Sequence, residues 1–374
     1  MNIAILLLNN FGDILYATPI AKQIKEKDFP GCVLTWIVSR QCSSLLENNP
    51  FVDKLEIEEF KNIHEVYGPR WEVIENQYLD KVKEGVYDRL FILQPIRSNL
   101  RRYKICIRQM ILDAYPISLK GSLKGILSLT DSQRDNVSEF IRKNKIENYK
   151  NRILFEFAPS SGQSSLSTDV LLKIAEKLTL ENESTCVILT SKLELVLNAS
   201  GLFNAHTISF KENAELINYC NLLVGCSSGI SWLSASTWCK PINTIQFISN
   251  SVPWFNSLKN DFNYSHIPSD NLIELYKFSG ESLFETIDFT LKNNFTEAKR
   301  KFDQELPSNF NDGTLRTVAD QLAEKSPKDF ILFFTRNFYK KIFFNKGYFD
   351  LLIESVRNSV KRSSKMNIVK EYDI

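Results

Sequence analysis

Residues 3–8, Ile-Ala-Ile-Leu-Leu-Leu, are an unbroken apolar run, and no other feature of the chain restricts its fold more. A strand with one wet face alternates apolar and polar residues. A parallel strand covered on both faces is apolar throughout. A short loop follows, Asn9-Asn10-Phe11-Gly12-Asp13, and residues 14–27 then space their apolar and charged positions as a helix does. Pro19 is tolerated early in such a helix. Strands read at 33–39, 54–60 and 89–95, with a short helix at 43–47. The polar stretch 131–151 marks a boundary, after which the pattern restarts. Strands are expected at 152–158, 186–191, 206–210, 222–226 and 241–247, with helices at 168–180, 213–220 and 227–238. Beyond residue 270 the alternation stops, and 271–278, 282–302 and 314–325 read as helices.

Strands alternating with helices imply an α/β fold with open parallel sheets. Two such series in 374 residues imply two Rossmann-like, doubly wound domains. Their strand C-terminal ends face a cleft where ligands bind. The expected division is 1–150, 151–270 and a helical segment 271–374. A net charge of +2 gives no electrostatic footprint for nucleic acid. The seven cysteines show no Cys-x-x-Cys spacing and sit in apolar runs, as reduced core residues of a cytoplasmic protein do. Three histidines leave little for a histidine-built metal site. No run of about 20 apolar residues is present to cross a membrane. Neither domain's first strand is followed by Gly-x-Gly-x-x-Gly, which disfavours a simple dehydrogenase.

Three segments carry a likeness to a known family. The opening, NNFGDILYATPIAKQIKEKDFPGCVLTWIVS continued by LLENNPFVDKL, has Gly-Asp after the first strand, Thr-Pro in the first helix and Phe-Pro-Gly before the second strand. ILFEFAPSSGQSSLSTDVLLKIAEKL opens the second series. ELINYCNLLVGCSSGISWLSASTWCKPINTI matches the stretch in which a Gly-x-Asp-Thr/Ser-Gly turn starts a helix over the donor phosphates. Together they resemble the bacterial heptosyltransferases, glycosyltransferase family 9, over residues 2–247. The resemblance implies a GT-B fold and an inverting, metal-independent transfer of heptose or a related sugar from a nucleotide-sugar. The acceptor is a hydroxyl of a surface glycan, lipopolysaccharide or other glycolipid. No cofactor or metal is implied. A GT-B protein that has become a binding or scaffold subunit, or a nucleotide-sugar epimerase or hydrolase, is the competing class.

Asp13 matches the family's general base, placed to take a proton from the acceptor hydroxyl. It reads equally as a helix N-terminal carboxylate favoured by the macrodipole. Gly12 lets the backbone approach the acceptor closely. Ser160, Ser161, Gly162 and Gln163 form a small hydroxyl-rich loop suited to a diphosphate, or an ordinary serine-rich loop. Ser227, Ser228 and Gly229 open a helix whose free amides face the donor, with Ser227 a candidate N-cap. Arg97 and Arg101 supply positive charge on the acceptor side or are solvated surface charges. Three departures stand out: Ser227 replaces the family's Asp, Trp232 replaces a frequent His, and the 159–165 loop lacks the family's Lys. In the tail, 328–349 mixes phenylalanines with basic residues, Ile331, Phe334, Phe338 and Ile342 falling on one helical stripe. This suits peripheral contact at the inner face of a membrane, packing onto the first domain, or a subunit interface.

Overall fold

The computed structural model describes residues 1–157, 165–249, 257–307, 312–325 and 330–333, less the single positions 62, 69, 105, 192 and 198. The first half runs β1 (Asn2–Leu6), α1 (Phe11–Gln23), β2 (Val33–Ser39), β3 (Lys54–Glu58), α2 (Arg70–Lys83), β4 (Arg89–Ile92), α3 (Ile107–Ala114) and α4 (Asp131–Lys143). The second runs β5 (Asn151–Glu156), α5 (Thr168–Glu181), β6 (Thr185–Thr190), β7 (Leu202–Asn204), α6 (Asn213–Tyr219), β8 (Leu222–Gly225), α7 (Gly229–Leu233), β9 (Asn243–Phe247), α8 (Leu258–Tyr264) and β10 (Leu272–Leu275). Helices α9 (Gly280–Lys292), α10 (Phe295–Phe302) and α11 (Asp312–Lys325) follow.

The strands form two parallel sheets, ordered β3-β2-β1-β4 and β10-β9-β8-β5-β6-β7. Each sheet is doubly wound about its first strand. β1 lies between β2 and β4, and β5 between β6 and β8, so crossovers leave in opposite directions from β1 and β5. The crevice at the C-terminal end of such a strand is where open α/β sheets take ligands. The apolar run that opens the chain is covered on both faces. Ala4, Leu6 and Leu8 pack with Trp71, Ile74 and Tyr78 of α2. Ile3, Ile5 and Leu7 pack with Ile14, Ala17 and Ile20 of α1. The α1 cluster continues through Trp232 and Leu233 to Leu154, Ile188 and Leu223 of the second sheet.

Pro19 lies well inside α1 and removes the amide that Leu15 O would accept in a regular helix. The Thr18 hydroxyl fills the vacancy, donating to Leu15 O at 2.7 Å and accepting Ile126 N at 2.7 Å. This explains how a mid-helix proline is borne.

Two expectations need correction. Residues 271–278 are not helical: Leu272–Leu275 is β10, with all four residues buried. The strand expected at 206–210 is instead Leu202–Asn204, paired with β6 directly after Gly201 at φ +81°. The polar stretch 131–151 holds α4, started by a Thr130–Gln133 capping box and anchored by Val137 and Ile141. At the far end, α9 and α10 cover the second sheet through Leu283, Ile287 and Ala298. Leu315, Val318 and Leu322 of α11, with Phe330 and Phe333, return to Leu100, Tyr103 and Met110 of the first half. Of the 328–349 stretch only 330–333 is described; Ile331 and Leu332 there are exposed, and Phe334, Phe338 and Ile342 lie outside the described residues. Among the described residues no helix is long and apolar enough to cross a membrane.

Candidate functional site

The site grows from the loop after β1. Asn10 turns the chain with φ +69°, a left-handed conformation that Asn tolerates better than most residues. Its carbonyl then accepts Ile14 N at 3.0 Å and starts α1. Its side chain does not cap the helix; it donates to Asp13 Oδ2 at 3.1 Å and to Tyr67 Oη at 3.0 Å. Asp13 therefore sits in the first turn of α1, only 8 % exposed, at the C-terminal edge of the first sheet.

The start of α7 meets it from the second sheet. A Cβ on Gly12 would lie 3.3 Å from Gly229 Cα, and one on Gly229 would lie 3.5 Å from Gly12 N and 2.9 Å from the Phe210 ring. Phe11 and Phe210 stack beside this contact, centroids 4.5 Å apart. Two helix starts thus meet across two glycines, with the Asp13 carboxylate in the first turn of α1, where that helix's dipole favours a negative charge.

Arg108, from α3, ties the halves together. It lies 2.8 Å from Asp261 of α8 and 3.6 Å from Asp13, with Nη2 3.5 Å from Ser227 O. Its guanidinium also lies over the Trp232 ring at 5.3 Å. Burial raises the Asp13 pKa, a shift that Arg108 and the Asn10 hydrogen bond reduce. Burial works against the Arg108 charge, yet Asp261 and Asp13 outweigh it and raise that pKa. Arg108 thus offsets part of the desolvation of Asp13, and the two carboxylates offset that of Arg108.

The turn between β8 and α7 is shaped from below. Ser227 takes φ +61°. Cys226 N donates to Glu156 Oε2 at 3.0 Å, and Ser227 N to Gln246 Oε1 at 2.5 Å. The N-cap of α7 is Ser228, whose hydroxyl accepts Ile230 N at 3.3 Å, not Ser227. Two amides of the turn thus point inward, while those of Ser228 and Gly229 take no protein partner among the described residues. Burial raises the Glu156 pKa to about 7.

Asp13, Gly12, Ser227 and Gly229 are thus brought together. Ser160, Ser161, Gly162 and Gln163 lie outside the described residues; Glu156 and the α5 cap Ser167 flank them. Arg97 and Arg101 belong to a 3-10 turn, Arg97–Arg102, packed between α3 and α11; Arg101 is partly exposed, and the Arg97 side chain is outside the described residues. All seven cysteines are free, six of them buried. Among the described residues no group of three or more His, Cys, Asp or Glu is placed to hold a metal ion. Sequence reasoning missed Arg108, Asp261, Glu156 and Gln246. Glu156 had a signal, a carboxylate ending an apolar strand. Arg108 and Asp261 had none, being 153 residues apart.

No protein-family model matches the chain, and neither does any curated protein. Solved structures do match in fold. A glycosyltransferase family 9 protein from Veillonella parvula superposes with a TM-score of 0.54 at 16% identity, over 81% of this chain and 90% of that one. ADP-heptose lipopolysaccharide heptosyltransferase II of E. coli gives 0.52 at 14% identity, over 78% and 99%. A Listeria monocytogenes protein assigned as a UDP-N-acetylglucosamine 2-epimerase gives 0.50 at 9% identity, over 88% and 97%. The fold is therefore that of the family 9 glycosyltransferases, which the epimerase-like protein shares.

Proposed function

We propose that the chain is an inverting, metal-independent glycosyltransferase moving heptose or a related sugar from a nucleotide-sugar to a hydroxyl of a surface-glycan or lipopolysaccharide acceptor. The position of Asp13 carries the reading: a buried carboxylate at the switch point of one doubly wound sheet, opposite the glycine-led helix start at the same edge of the other. Residues 1–150 take the acceptor, with Gly12, Arg97 and Arg101 on that side. Residues 151–270 take the donor, whose diphosphate lies against the amides of Ser228 and Gly229 and the 160–163 loop. Asp13 accepts the hydroxyl proton as the oxygen attacks the anomeric carbon and the nucleoside diphosphate leaves. Its raised pKa suits a base, the Asn10 hydrogen bond orients it, and the Arg108 charge lies 3.6 Å away. Gly12 and Gly229 are too close to admit a donor between them, so the halves part for binding and close again for transfer, excluding water. The chain works in the cytoplasm at the inner membrane face, reached through 328–349.

A thermal-shift screen with ADP, GDP, UDP, CDP and their sugar conjugates, with and without EDTA, tests the donor assignment. One nucleotide is expected to raise the melting temperature regardless of EDTA. Asp13→Asn is expected to keep that shift and lose about 10²–10⁴-fold in transfer rate. Full transfer by Asp13→Asn would end the base assignment. A second reading, a binding subunit that has lost transfer, draws on Asp13 being already committed to Arg108 and on Ser227 standing where the family has Asp. A folded protein that no nucleotide stabilises would select it.

A further inference from the structure

Beneath the 226–229 turn lies a polar cluster that the transfer chemistry above does not use. Glu156 ends β5, Gln246 lies in β9 and Ser231 in α7, and none is more than 1 % exposed. Ser231 Oγ is 3.0 Å from Gln246 Oε1 and 3.3 Å from Glu156 Oε2. A Cβ on Gly225 would sit 2.5 Å from Ser231 Oγ and 2.9 Å from Glu156 Oε2, so the cluster is packed solid. It has no room for a ligand of its own. Two of its atoms are nonetheless unsatisfied: Glu156 Oε1 and Gln246 Nε2 are buried without a hydrogen-bond partner. A buried carboxylate with an empty oxygen favours the neutral acid. The atoms it does hold belong to the turn, since its other oxygen takes Cys226 N, one peptide before Ser227.

We infer that Glu156 couples proton uptake to donor binding, the diphosphate binding the neutral form of Glu156 and drawing a proton onto it from solvent. The inference rests on the donor reading of the 226–229 turn. A diphosphate on the outer side of the turn and a carboxylate on its inner side are like charges in a low-dielectric setting. Each disfavours the other. Glu156 is poised to respond because burial already holds it near neutrality, at about 7. The groups facing it leave it as the titrating member. The Cys226 thiol is pushed far up by burial, next to Glu156 itself, and stays neutral. Arg108 favours the carboxylate from α3, but its charge is shared with Asp261 and Asp13. Thr190 on the neighbouring β6 does not titrate. The balance is one proton from solvent per donor bound, with no bond made or broken elsewhere.

Calorimetric titration of the full chain with ADP-glucose, GDP-mannose and UDP-glucose tests this. These diesters keep a fixed charge, unlike free nucleoside diphosphates, whose terminal phosphate titrates near about 6. Runs at pH 8 in buffers of different ionisation enthalpy report protons taken up. Uptake approaching one proton per ligand is expected, and the dissociation constant of the ligand that binds is expected to rise about fivefold from pH 7 to pH 8. Glu156→Gln is expected to bind with no uptake and no pH dependence. Binding without uptake by the unmodified protein overturns the coupling alone and needs no variant. Equal uptake by Glu156→Gln overturns the assignment to this residue. If none of the three binds even at pH 6, where Glu156 is neutral, the donor reading falls and the coupling with it.

Discussion

At the scale of single residues, the chain keeps several ionisable groups where water is scarce, and their directions set how stability answers pH. Glu156 has a folded pKa of about 7 against an ordinary 4.5. Below 4.5 it is neutral in both states and costs nothing. Between 4.5 and 7 the unfolded chain has released the proton that the folded chain retains, so stability falls as pH rises, and the loss is complete above 7. The full loss is about 3 kcal/mol, at about 1.4 kcal/mol for each pH unit of difference. Asp13 and Glu274, also raised by burial, act in the same direction. Burial would raise Asp53 and Glu56, but their hydrogen bonds and the charges of Lys25 and Lys81 together lower both, and their contributions fade only in stronger acid. Guanidinium unfolding at pH 5, 6, 7 and 8 is therefore expected to show declining stability, with a shallower decline in Glu156→Gln. Identical slopes for the two proteins would place the pH dependence elsewhere.

At the scale of elements, the contact between α1 and α7 is a contact between backbones. It exists because residues 12 and 229 lack side chains. Gly229→Ala puts a Cβ against the Phe210 ring and costs about 1–3 kcal/mol of overpacking. Phe210→Leu in the same chain makes room and is expected to recover most of that loss, read as the melting temperature. If the single variant melts like the unmodified protein, the two helix starts do not press together in solution. The glycines were legible in the sequence because each follows a strand and opens a helix. The strands at 33–39 and 186–191 were legible because both faces of a buried parallel strand must be apolar. Leu272–Leu275 was not, since Asn-Leu-Ile-Glu-Leu satisfies helical and extended spacing alike over so short a run. Helix α4 was not read because only Val137 and Ile141 of its residues are buried, too few to mark an apolar face. Arg108 and Asp261 were beyond reach for another reason. Local pattern carries no information about a partner that only the packing of two sheets brings near.

At the scale of the molecule, the two sheets are separate but their packing is not. One apolar cluster runs from Ile3 and Ile14 through Trp232 to Leu223. Tyr16 meets Trp232 edge-on at 4.7 Å and accepts the Ser265 hydroxyl at 2.8 Å. Lys211 reaches back to Glu47 O at 2.7 Å, and Tyr264 bonds Asp113. Helix α11, with Phe330 and Phe333, brings the end of the described chain onto the first half after α9 and α10 have covered the second. Halves joined this way share one apolar cluster, so unfolding either exposes apolar surface of the other. A single calorimetric transition is expected on heating, with van't Hoff and calorimetric enthalpies in agreement. Asp261→Asn removes one arm of the buried ion trio and leaves Arg108 with Asp13 alone at 3.6 Å. Breaking a buried pair from one side costs about 3–5 kcal/mol. Because the pair spans the halves, the variant is expected to lower the whole transition without splitting it. Two resolved transitions in the unmodified protein would show that the halves are independent. A transition that splits only in Asp261→Asn would make the Arg108 bridge, rather than the apolar cluster, what couples them.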